Sequence, residues 1–162
     1  WLVLFLALTD PPDEARLRAL IKRLFISSRK RLVVLGARAE GLRALRLIDS
    51  GAVKKNSGLY EVLKPLPIEI IIYLLAKAGR DETRKALSTY MTKLRYTKAE
   101  LTGADLKKLG VEEGPFMGKA LATLLEGRLD GQIKSVEQEK AAVKKLLADK
   151  KGMGKLKKQQ GA

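Results

Sequence analysis

The chain has 162 residues, of which 33 are Lys or Arg and 18 Asp or Glu, with no cysteine and no histidine. The missing residue types exclude the usual zinc and iron ligands, thiol nucleophiles and an imidazole base, so any chemistry must come from carboxylates, lysines and hydroxyls. A net charge of +15 asks for an anionic partner, most simply a nucleic-acid backbone, and 46% hydrophobic content is enough for a compact core.

Residues 1–8, WLVLFLAL, are apolar but far short of the roughly 20 residues that span a bilayer, and they lack the basic leader and cleavage site of a signal peptide. They read as a core helix entered partway along, as in a piece of a longer protein, and no membrane contact is expected. TDPPDEARLRALIKRLF predicts an amphipathic helix capped by Asp10, with Pro11 and Pro12 at its first positions and Leu17, Leu20, Ile21 and Leu24 at helical spacing. Residues 29–48 continue the pattern, with Leu42, Leu45, Leu47 and Ile48 apolar and Arg38, Arg43 and Arg46 between them. DSGAVKKNSG then breaks it.

The isoleucines of LPIEIIIYLLAKAG would also suit a buried strand. Pro67 at the start, Glu69 in the first turn, Gly79 past the end and the length of the run favour a helix, buried on nearly all sides. The next helix, DETRKALSTYMTKLRYTK, places Leu87, Tyr90, Met91 and Leu94 on a core stripe and Arg84, Ser88, Thr92 and Arg95 beside it. From Arg84 to Lys98 there are five basic residues and no acid.

LKKLGVEEGPFMGKALATLL stops twice for glycine between two helical patterns. Thr102 and Asp105 form a predicted capping box, and Gly110 takes a left-handed C-terminal position that lets Val111 pack on Leu106. Gly114 is the next N-cap and Pro115 the first helical residue, which leaves the amides of Phe116, Met117 and Gly118 without intrahelical partners and creates an anion site. Lys107, Lys108 and Lys119 favour a phosphate there, whereas Glu112 and Glu113 oppose it. Further on, Gly131 closes one helix and Ser135 with Gln138 opens the last, with Val136, Val143, Leu146 and Leu147 facing inward. By composition, residues 151–162 are a mobile basic arm.

The expected fold is all-α, an array of roughly seven to nine helices with no sheet. It divides into a helical body over residues 1–96, a helical tail with a helix-turn-helix pair over 97–150, and the arm. Candidate contacts to a nucleic-acid backbone are Arg29, Lys30 and Arg31; Arg84, Lys85, Lys93, Arg95 and Lys98; and Gly114, Phe116, Met117, Gly118 and Lys119 at the turn.

Residues 101–143 resemble the C-terminal part of class II tRNA nucleotidyltransferases, the CCA-adding, A-adding and bacterial poly(A) polymerase enzymes. The matching pattern is Leu101, Gly103, Asp105, Leu106, Leu109, Gly110, Gly114, Pro115, Asp130 and Gly131, with a fainter likeness upstream. The resemblance implies a tRNA or tRNA-like RNA partner in the cytoplasm, held at its elbow and acceptor stem. It also implies a catalytic head of the same parent protein, where Mg and ATP or CTP act on paired carboxylates. Here no two of Asp10, Asp13, Asp49, Asp81, Asp105, Asp130 and Asp149 stand two residues apart, and there is no P-loop. The chain is therefore expected to hold RNA, with no catalytic residue, metal or cofactor of its own. The choice between adding CCA, A or poly(A) belongs to the head. Two other classes stay open: a helix-hairpin-helix-like DNA-binding module, and a helical domain that meets an acidic protein.

Overall fold

A computed structural model describes residues 1–10 and 13–159, with side chains through residue 149. Among the described residues every regular element is helical and no strand occurs, in agreement with the all-α expectation. Pro11, Pro12 and the side chains of the basic arm lie outside this set. The chain divides into two compact units, Trp1–Arg95 and Tyr96–Ala162.

The first unit is built around α6 (Ile68–Lys77), which packs against α1 (Leu2–Leu8), α4 (Arg38–Asp49) and α7 (Asp81–Thr92). Ile70, Ile71, Tyr73 and Leu74 of α6 are buried, whereas Ile72 is 37% exposed. The helix thus buries the face that meets its neighbours rather than nearly its whole circumference. Against α4 the approach is close: a Cβ at Gly41 would stand 2.5 Å from Ile70 Cγ2. Further elements are α2 (Glu14–Arg23), α3 (Ser28–Leu32), which runs through a π turn (Val33–Ala37) into α4, and α5 (Asn56–Leu63), which packs on α4 and α7.

Two sequence expectations change here. The N-cap of α2 is Asp13, whose carboxylate accepts from the amides of Ala15 at 3.0 Å and Arg16 at 3.1 Å. Asp10 is instead drawn away by charge, pairing with Arg38 and Lys77 and accepting from the Tyr73 hydroxyl at 3.0 Å. Arg38, read as one of the arginines between apolar positions, is only 2% exposed. Its guanidinium donates to Leu6 O and Thr9 Oγ1, both at 2.9 Å, which ties α4 to the end of α1. In α2, Leu17 and Ile21 are buried but Leu20 and Leu24 face outward.

The second unit contains α8 (Gly103–Lys108), α9 (Pro115–Leu129) and α10 (Val136–Gln159). Leu101, Leu106, Val111, Ala120, Leu124 and Val143 form its core, with Phe116, Met117, Val136, Leu146 and Leu147 packed around them. Burying each of the larger side chains contributes about 1.5–3 kcal/mol.

Candidate nucleic-acid interface

The turn between α8 and α9 follows from its residues one by one. Thr102 Oγ1 accepts from the Asp105 amide while the Asp105 carboxylate accepts from the Thr102 amide at 3.0 Å, a complete capping box. At the other end Val111 N–H donates to Leu106 O at 3.0 Å and Gly110 N–H to Lys107 O at 2.9 Å, a Schellman ending with Gly110 at φ +88°. Gly114 follows at φ +141° and Pro115 opens α9.

The amides at this start are not all open, as the sequence suggested. Met117 N–H donates to Gly114 O at 3.0 Å, a tight first-turn bond that the sequence does not announce. The Phe116 and Met117 side chains are half-buried against the core of this unit, so they hold α9 in place. Glu113 pairs with Lys107, and Lys108 lies 3.8 Å from Asp105, so these acids and lysines partly neutralise one another. Lys119 is exposed and has no ion-pair partner among the described residues.

In the first unit, Arg84 of α7 is committed locally. Its Nε donates to Ala78 O at 2.9 Å, closing the carbonyl end of α6, and its Nη1 meets Asp81 at 3.1 Å. The acid-free count from Arg84 onward therefore overlooked Asp81, one helical turn before it. Lys85, Lys93 and Arg95 of this unit are exposed, as is Lys98 in the second. Arg29, Lys30 and Arg31 are brought together on the short α3, exposed, with Lys30 Nζ 4.6 Å from the centre of the Trp1 ring.

Two buried ionic clusters escaped the sequence reading. Glu139 of α10 is fully buried, accepts from the amides of Glu100 at 3.0 Å and Leu101 at 2.8 Å, and pairs with Arg128 of α9. Burial alone would raise the Glu139 carboxyl, but the Glu100 and Leu101 amides and the Arg128 guanidinium outweigh it and hold it below its ordinary value. Arg128 is pushed up in return by its hydrogen bond to Glu139, and it also reaches Glu100 at 2.8 Å. Asp10 behaves as Glu139 does: burial opposes ionisation, while Lys77, Tyr73 and Arg38 prevail and lower it. A signal existed in both cases. Glu139 stands on the inward stripe of Val136, Val143 and Leu146, and Arg38 on the stripe of Gly41, Leu45 and Ile48, so each charge occupies a place meant for an apolar residue.

Among the described residues no group of acids could hold a metal ion, and no helix is long and apolar enough to cross a membrane. No protein-family model matches the chain, and no solved structure does. A curated relative does: a protein of Geobacter sulfurreducens named A-adding tRNA nucleotidyltransferase is 32% identical over 143 residues, which is 86% of this chain. The chain spans only 16% of that protein's length. The likeness read from the Leu101 to Gly131 pattern therefore extends over most of the sequence, and the chain is a relative of one part of a tRNA nucleotidyltransferase.

Proposed function

We propose that this chain is the tRNA-holding part of a tRNA nucleotidyltransferase, gripping the acceptor stem and elbow so that the 3′ end reaches a catalytic head elsewhere in the parent protein. What carries the reading is the identity with the A-adding enzyme over 86% of a chain whose net charge is +15. A-form RNA offers its backbone, its 2′-hydroxyls and its shape, because its deep groove excludes side chains. Rigid helices with cations at fixed spacing suit such a surface. Lys85, Lys93, Arg95 and Lys98 on and after α7 are assigned to the acceptor-stem side, and Lys119 with the start of α9 to the elbow. Arg29, Lys30 and Arg31 add a third basic face. Mg and ATP or CTP belong to the head in this reading, and the setting is the cytoplasm.

The test is binding of labelled tRNA by the full chain across a salt series, alongside incorporation of labelled ATP and CTP. Affinity should fall steeply with salt, and no nucleotide should be added. Incorporation by this chain alone, or an affinity indifferent to salt, would defeat the proposal. Duplex DNA bound as tightly as tRNA would instead favour a helix-hairpin-helix role.

A further inference from the structure

Phe25 holds a backbone conformation that elsewhere among the described residues is taken only by glycine. At the end of α2, Ile26 N–H donates to Ile21 O at 3.1 Å and Phe25 N–H to Lys22 O at 3.2 Å, the same pair of bonds that ends α8 at Gly110. The end of α9 repeats it with Gly131 at φ +73°. In α2 the left-handed place is filled by Phe25 at φ +50°, and among the described residues it is the one non-glycine with positive φ. A side chain there is strained, because its Cβ crowds the following carbonyl oxygen. Packing does not repay this, because Phe25 is 93% exposed.

What surrounds the ring indicates what it could meet. Phe25 borders an open groove of about 690 Å³ lined also by Arg18, Lys22, Arg31, Ile21 and Ile26, with no acid in the lining. Lys22 and Arg31 have no ion-pair partner among the described residues, and Arg18 shares its charge with Glu14 alone. A flat apolar ring standing in water beside three cations matches an unpaired nucleotide, whose base stacks on an aromatic face while its phosphates meet Lys and Arg. An apolar protein segment would satisfy the ring but leave the cations uncompensated, and within an RNA duplex the base faces are covered by their stacked neighbours.

We propose that Phe25, with Arg18, Lys22 and Arg31, forms a stacking site for an unpaired nucleotide of RNA, which adjoins the basic face of Arg29, Lys30 and Arg31 and shares Arg31 with it. It rests on the tRNA-holding reading and names a single-stranded element within that substrate.

The test compares the full chain with Phe25→Leu and Phe25→Gly. One probe is a short single-stranded oligoribonucleotide carrying 2-aminopurine, and the other is a long RNA duplex, in which end pairs are few. The parent should change the 2-aminopurine fluorescence on binding, as stacking does. Both variants should bind the single strand about tenfold more weakly while duplex affinity stays at the parent value. Phe25→Gly should also melt higher, because the backbone strain is relieved. The proposal is overturned if both variants bind the single strand like the parent, or if Phe25→Leu does so, since then apolar bulk rather than a π face is wanted. It is equally overturned if single-strand and duplex affinities fall together, or if Phe25→Gly melts lower, which would give the ring a structural task. A parent chain that binds tRNA and duplex while the variants match it loses only the stacking site; a parent that binds no RNA loses the tRNA-holding reading first.

Discussion

Arg128 and Glu139 show how a charge can be kept inside a small helical unit: each compensates the other, and the amides of Glu100 and Leu101 donate to the same carboxylate. Removing one partner strands the other, so Glu139→Ala should destabilise the second unit by about 3 kcal/mol or more. Glu139→Gln, which can still meet the amides, should cost less. The pH dependence has a definite sign. Because the folded carboxyl lies below its ordinary value, its stabilisation is complete above the unfolded pKa of about 4.3 and disappears as pH falls through the folded value. Thermal melts from neutral pH down to about pH 3 should therefore lose stability below that unfolded pKa, and Glu139→Gln should flatten the slope. Some slope should persist in that variant, because Asp10 in the first unit and Asp105 and Glu137 in the second are lowered in the same direction.

At the scale of the element, two glycines separate conformational from steric need. Gly110 has open space where a Cβ would go but φ +88°, so Gly110→Val should cost roughly 1 kcal/mol or more through the backbone alone. Gly41 is an ordinary helical residue with no room, because Ile70 Cγ2 stands 2.5 Å from the added carbon. Gly41→Ala gains helix propensity yet should still destabilise by about 1 kcal/mol, since α4 and α6 must move apart. Chemical denaturation of the two variants checks both. The Gly110 ending was legible in sequence because a Schellman turn uses adjacent residues: the capping box, the glycine and Val111 all lie in one short string. Asp10 was not. Its reassignment from a cap to the Arg38 and Lys77 cluster depends on partners more than twenty residues away, which local pattern cannot supply. The local bonds of Arg84 were hidden for the opposite reason, since Ala78 and Asp81 are close in sequence but precede the acid-free run from Arg84 to Lys98.

For the whole molecule, the surplus of basic charge was plain from composition, whereas its division into engaged and open cations was not. Arg84 closes a helix end and Lys107 meets Glu113, while Lys85, Lys98 and Lys119 are exposed with no ion-pair partner among the described residues. Lys119→Ala should leave the melting temperature nearly unchanged and reduce the salt slope of tRNA binding by about one phosphate contact. Arg84→Ala should lower the melting temperature of the first unit as well as any affinity. A titration of tRNA at several salt concentrations, run beside thermal melts, separates these outcomes. The link from Glu139 back to the amides at Glu100 and Leu101 also bears on how the second unit comes into being on the ribosome. Residues 96–138 can emerge and form α8 and α9 with Arg128 met by Glu100 alone, but the amides of Glu100 and Leu101 at the entry to this unit then lack their acceptor. Closure must wait for the first turn of α10, so a stalled chain whose last residue outside the ribosome precedes Glu139 should stay sensitive to protease across this unit, and one with Val143 and the next turn outside should become resistant.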